Sequence, residues 1–533
     1  MKRFGELTFA VLLALGFGVS AGVETTPVKA EAAKPDTSTI SSSGLSEIDR
    51  QVFYHLEEGS EVIPLDWLQA LKQKGTQKPF LQNPDRFGLI ADDDNPANPY
   101  HLPVGMTAAP TRDIRFPGAK MVGVNCAACH VNQITYKGKG LRIDGAPSLF
   151  NIQKFYQELG DAALATAENP KEFLAFVERL GEIAKAEENS AHAGDKSSGS
   201  TLNLKRRDGT SPDTLRLLEA RVAFLLDLVG SPKSTVNGFG RVDAFGSARN
   251  IVFPHDALPT LAPVSFPHLW GIGRLEWLHW DANTNSILER NVGQALGLGA
   301  VYDPLTHAST IKVENLHTLE VIALKIDPPK WPEDVFGRID PEKFERGAKL
   351  FQTHCAQCHV TTAGKVPDLR EPLSSIGTDP NRAESFARPV ENRPFDEAIA
   401  DVVGRIKLKL YDDAHLSASQ REAMEAGRIP KWRTTGEYAC RPLVSVWATA
   451  PYLHNNSVPT LYDLLLPAVQ RPRTFAVGHR EYDPVKLGYT TTPAKGDFLF
   501  DSTLPGNHNS GHEYGTAISE PDRMDLLEYL KGT

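Results

Sequence analysis

Cys126-Ala127-Ala128-Cys129-His130 and Cys355-Ala356-Gln357-Cys358-His359 are two copies of one short pattern, and together they hold four of the five cysteines in the chain. Cysteines three residues apart fall on one face of a helix, where both sulfurs reach the two vinyl groups of a single haem. The histidine after the second cysteine is then placed to ligate the iron from the same side. This spacing is the c-type haem attachment signature. A four-cysteine zinc site sets its pairs about 15–20 residues apart, whereas these pairs begin at Cys126 and Cys355. A thioredoxin-like redox pair explains one Cys-x-x-Cys, but not a histidine in the same place twice. The pattern predicts two covalently bound c-type haems.

More of the sequence around the second motif reads in the same direction. Asp340-Pro341-Glu342 is a helix start, with Asp as the cap and Pro at the first helical position. Gly347, Phe351 and Cys355 recur every four residues, so one helical face carries a small contact, an aromatic ring and the haem cysteine. That arrangement resembles the first helix of small soluble cytochromes c. Gly118 stands eight residues before Cys126, as Gly347 does before Cys355. This faint internal repeat predicts two cytochrome-like halves.

Working outward, the 533 residues are 41% hydrophobic and 23% charged, ordinary globular usage. A formal charge of −9 excludes a nucleic-acid binder with a basic face. Five cysteines are too few for a disulfide scaffold of this length. Lys2 and Arg3, the apolar run Leu7 to Val19 and the small residues Val19-Ser20-Ala21 have the order of a secretory signal over residues 1–21. Ala30-Glu31-Ala32 offers a second cleavage site. The apolar run is shorter than the roughly 20 residues of a membrane span, so a periplasmic or secreted protein with no stable span after processing is expected. A leader over 22–44 precedes a first haem domain, 45–335, and a second, 336–533. The predicted fold is mainly α: two cytochrome c-like haem domains with long irregular loops and a helical, aromatic-rich insertion. Helices are expected over Pro170 to Glu188 and Pro212 to Leu228, flanking an exposed Ser/Gly/Lys-rich segment, Asn189 to Asp208. A closing helix is expected over Glu520 to Leu530.

Haem iron that transfers electrons carries two axial side chains, whereas reactive iron keeps one position open. After export only Met106, Met121, Met424 and Met524 remain, which turns the search for sixth ligands toward histidine. His454 lies in an aromatic loop between Pro451 and Pro459, stiffened at both ends. It is the expected partner of His359 on the second iron. For the first iron, His255, His268 and His279 read as packing or surface residues, so His130 is expected to carry an open site. Trp270, Trp277 and Trp280 cluster near His279 and Asp281. They read either as a core over a flat cofactor or as a relay and lining for the open site. Arg241 is a candidate for a haem propionate or an ordinary salt bridge. Cys440 reads as a buried thiol without a partner.

Gly123-Val-Asn-Cys-Ala-Ala-Cys-His130, Ile376-Gly-Thr-Asp-Pro380, Ala448-Thr-Ala-Pro-Tyr-Leu-His-Asn455 and Leu504-Pro-Gly-Asn-His-Asn-Ser-Gly-His-Glu-Tyr-Gly515 extend the comparison. With the two motifs, they resemble exported bacterial di-haem cytochromes of the di-haem cytochrome c peroxidase superfamily. The nearer branch is that of the latex-cleaving rubber oxygenases and related fatty-acid dioxygenases. The resemblance implies a reactive N-terminal haem with His130 as proximal ligand; Trp280, from the tryptophan cluster, is the candidate to line its open site. The resemblance also implies a supporting C-terminal haem held by His359 and His454. Activity on peroxide or O2 follows, with a small cytochrome or cupredoxin as electron donor or an apolar organic molecule as substrate. Calcium between the domains is a feature of such proteins, but no ligands for it are identifiable here. Glu276 and Glu289 are the candidates for a distal acid. The alternative from another class is a non-catalytic di-haem electron carrier.

Overall fold

Asp340 opens the helix Pro341–His354 as its sequence dictates: the carboxylate accepts from the N–H groups of Glu342 (3.0 Å) and Lys343 (3.2 Å). In this computed structural model the described residues are 36–40, 43–92, 95–96, 98–113, 115–192, 212–359 and 364–533. The expected signal peptide and most of the leader lie outside them, as does most of the Asn189 to Asp208 segment. Gly347 and Phe351 point inward from the helix. The Phe351 ring lies 5.1 Å from that of Tyr529 on the closing helix Glu520–Lys531. A Cβ at position 347 would stand 2.0 Å from the carbonyl oxygen of Asp525, so only glycine lets the two helices cross this closely. Arg346 adds a 2.6 Å ion pair to the Asp525 side chain at the same crossing.

The first motif is built differently, and the internal repeat does not extend to it. Strand Lys120–Val124, not a helix, leads into Asn125 and the five-residue helix Cys126–His130. That strand is central in an antiparallel sheet between Ile63–Pro64 and Met106–Pro110. After His130 the chain returns at once to strand, with Val131–Tyr136 paired to Lys139–Asp144. Asn125 holds the junction. Its side-chain oxygen accepts from the N–H of Ala127, and its amide donates to the carbonyls of Phe53 (3.0 Å) and Leu56 (2.9 Å). Gly105, at φ +80°, lets the neighbouring strand graze the motif, where a Cβ would fall 1.9 Å from the N–H of Ala128.

With 41% helix and 13% strand, all strands being short, the fold is mainly α as expected. The insertion forms as read: Pro170–His192 and Pro212–Val229 pack with Ile152–Glu168 through Phe176, Leu180, Leu218 and Leu225. The regions of the two motifs nevertheless share their cores. Ile134, Leu141 and Leu149 sit in one apolar cluster with Trp447, Tyr482, Leu526 and Leu530. Phe245, Leu288 and Val292 share another with Phe395, Ile399 and Ile406. Asp36–Thr533 fold as one compact unit. No helix among the described residues is long and apolar enough to cross a membrane.

Candidate haem sites

Both motif histidines are held in the same way. His130 places Nδ1 2.8 Å from the carbonyl oxygen of Pro267, and His359 places Nδ1 2.6 Å from that of Arg441. A carbonyl only accepts, so each Nδ1 carries the proton and each Nε2 keeps its lone pair. That is the tautomer and orientation of a metal-bound imidazole. Burial, followed by the charge of Arg290, pushes His130 down to about 3; burial also lowers His359. Both rings are neutral at physiological pH.

The second motif opens onto a cavity of about 280 Å³, lined by Cys355, Cys358, His359, Leu443, Leu461, Leu526 and other mainly apolar side chains. Across from His359 stands His512, its ring centre 6.1 Å away. An imidazole nitrogen about 2 Å from a metal places its ring centre about 3 Å away, so two rings on one ion stand about 6 Å apart. His512 also has a buried Nδ1 with no hydrogen-bond partner. The described residues therefore fit a haem here. His454 lines the same cavity but lies face to face with Tyr438 at 4.1 Å. Its carbonyl accepts from the N–H of Ser265. Thus His512, not the expected His454, is the ring that stands against His359.

His512 is positioned by two segments already singled out in the sequence. Its N–H donates to the carbonyl of Ile376 at 2.7 Å, Ser510 Oγ donates to that of Gly377, and Asp379 accepts from the N–H of His508. Gly511, at φ +70°, lies so close that a Cβ would fall 2.2 Å from the carbonyl carbon of Gly377. His512 itself sits at φ +49°, a left-handed conformation imposed by this clamp.

Cys129 and His130 of the first motif are buried, and Cys126 is half-buried. Glu58 lies 3.5 Å from Cys126 Sγ, and burial raises its pKa to about 7 despite the opposing pull of Cys126 and Arg290. No second imidazole is supplied by the sequence candidates. His255 is exposed in a short 3-10 turn. His268 is stacked on Trp270 and lines the cavity of the second motif. His279 is engaged at both ring nitrogens, by Asn283 (2.5 Å) and Arg290 (3.1 Å). Met106 and Met121 are core residues around the first motif, and Met424 belongs to the cluster of Phe395 and Ile399.

Trp280, expected beside the reactive iron, lines the second cavity instead. Its Nε1 donates to the carbonyl of Ser265 (3.0 Å), two residues before the Pro267 carbonyl that holds His130. Trp280 thus touches the short segment that serves both motifs. Arg241 is fully buried and donates to the carbonyls of Asn237, Val236 and Asn455, so it clamps loops. Glu276 is exposed, and Glu289 is tied to Lys407 and Trp432 at 2.8 Å each. Cys440 does have neighbours: its sulfur lies within 4.8 Å of Cys358 Sγ and a Glu371 oxygen.

A cytochrome c family model matches residues 344–426, which include the second motif and Asp379. A model described as RoxA-like, cytochrome c-like matches residues 436–476, which include Tyr438, Arg441 and His454. The C-terminal region is thus a cytochrome c domain of the RoxA-like kind, and such domains bind haem covalently. A protein of Sinorhizobium fredii described as uncharacterized protein y4iJ is 32% identical over 581 aligned positions, covering 93% of this chain and 94% of that protein. A second from the same organism, uncharacterized protein y4iM, is 30% identical over 309 positions, covering 52% of this chain and 66% of its own.

Proposed function

The chain belongs to one family with the y4iJ protein of Sinorhizobium fredii, and we propose that it acts as an exported two-haem c-type oxidoreductase. In this reading Cys126, Cys129 and His130 hold a reactive haem. Cys355, Cys358, His359 and His512 would hold a second one, suited to passing electrons. The observation that carries it is the matched pair of motif histidines, each with Nδ1 fixed on a backbone carbonyl at 2.8 and 2.6 Å. When bound, c-type haem supplies an iron that activates an oxidant where one axial position is free and passes electrons where both are filled. His512 replaces His454 as the expected second ligand because it is the ring across from His359. His454 then acts by packing, holding Tyr438 in the cavity wall. At the first motif, the exposure of His255 and the engagement of His268 and His279 elsewhere support an open position. The Ser265–Pro267 segment, touched by Trp280, offers a short covalent and hydrogen-bonded link between the sites.

The test is turnover by the purified holoprotein. One mixture holds peroxide and a reduced small cytochrome or cupredoxin; others hold oleate or polyisoprene under O2. Consumption of peroxide with donor oxidation, or of O2 with organic product, supports the catalytic reading and tells the two oxidants apart. No turnover in any mixture, with both irons low-spin and unresponsive to cyanide, contradicts it and supports the electron carrier.

A further inference from the structure

Two guanidinium groups lie between the motifs without anionic partners. Arg290 donates from Nε to His279 Nε2 (3.1 Å) and from an Nη to Asn291 (2.7 Å). Arg441 donates from an Nη to the carbonyl of the same His279 (2.5 Å) and lies 5.5 Å from the centre of the Trp280 ring. Its Nε is buried and has no hydrogen-bond partner. The backbone carbonyl of Arg441 is the acceptor for His359, and the residue lines the second cavity. Arg290 in turn lies in the electrostatic field of Cys126, Cys129 and Glu58 at the first motif.

Two nearby carboxylates are already occupied. Asp281 pairs with Arg382 at 3.0 Å, both side chains being buried. Glu320 accepts from Asn291 at 2.7 Å and faces His317 at 3.7 Å. Among the described residues, neither Arg290 nor Arg441 makes an ion pair. Two like charges held close inside a protein, with donors left over, are costly unless an anion joins them. Guanidinium binds carboxylate through paired donors, and each haem brings two carboxylates.

We propose that Arg290 and Arg441, joined through His279, anchor haem propionates in the space between the two motifs. The inference rests on the two-haem reading. One arginine serves each site and both hold one histidine, so the charge at one haem edge acts on the other haem.

The experiment compares wild-type holoprotein with R441Q, R441K and R290Q. Covalent haem is counted by intact mass, and midpoint potentials are read by spectro-electrochemical titration. Thioether attachment keeps haem on the chain in every variant. Removing a positive charge favours the ferric form, so R441Q and R290Q should lower the potential of at least one haem. A tenfold weaker reduction equilibrium, about 59 mV for one electron, is expected. R441K, which keeps the charge, should stay near the wild type. Two haems with potentials unchanged in both glutamine variants would overturn the anchor. Fewer than two haems in the wild type would instead refute the two-haem reading. Should R441Q fail to accumulate, R290Q alone decides.

Discussion

Asp281 shows how much of this molecule rests on single buried groups. Its carboxylate and the Arg382 guanidinium are almost completely buried and 3.0 Å apart, beside the His279 that both site arginines hold. Removing one partner of such a pair leaves an uncompensated charge, at a cost of about 3–5 kcal/mol. D281N is therefore expected to lower the thermal midpoint markedly, whereas E276Q, at an exposed position, should leave it unchanged. Equal midpoints in the two variants would contradict the role given to the pair. At the same scale, His512 explains what sequence order concealed. It follows a glycine, sits at φ +49° and belongs to no helix. No periodicity marks it as a ligand. The signal lay in two glycine-containing segments, Ile376 to Pro380 and Leu504 to Gly515, which make sense only once Gly511 is seen pressed on Gly377.

At the scale of elements, the crossing of Pro341–His354 with Glu520–Lys531 was the most legible part of the fold. The Asp-Pro start, the glycine and the aromatic at fixed spacing specify a capped helix with one face shaped for a partner. G347V tests it: a branched side chain where even a Cβ lies 2.0 Å from the Asp525 carbonyl must part the helices. Overpacking of this kind costs about 1–3 kcal/mol, read as a lower thermal midpoint with loss of the low-spin haem signal. An unchanged midpoint would mean that the crossing tolerates separation. The same logic failed ahead of the first motif. Gly118 was read as the counterpart of Gly347, but it is a positive-φ loop residue before a strand. A single glycine carries no period, and Val122 at the aromatic position reads as strand as easily as helix.

For the whole molecule, the cavity at the second motif is bounded by the shared core. The second cavity, about 280 Å³ and lined mainly by apolar groups, is surrounded by the shared cluster that joins Ile134 and Leu141 to Trp447 and Leu526. Apolar lining left against water forfeits the stabilisation of burial, about 25 cal/mol per Å². C355A/C358A protein, made without the second haem, is expected to keep helical far-UV dichroism but lose near-UV signal at growth temperature. A native near-UV spectrum would contradict the shared core. Sequence order suggested two haem domains in series; long-range contacts among 134–149, 245–292 and 395–530, which no local pattern encodes, knit them together. The helical insertion was legible because both helices are long and amphipathic enough to announce themselves.

A free axial position on His130 and an iron closed by His359 and His512 are distinguished by electron paramagnetic resonance of the ferric holoprotein, with H512A and H454A measured beside the wild type. One high-spin and one low-spin signal are expected in the wild type and in H454A, and two high-spin signals in H512A. A low-spin signal that survives in H512A and disappears in H454A would instead make His454 the ligand.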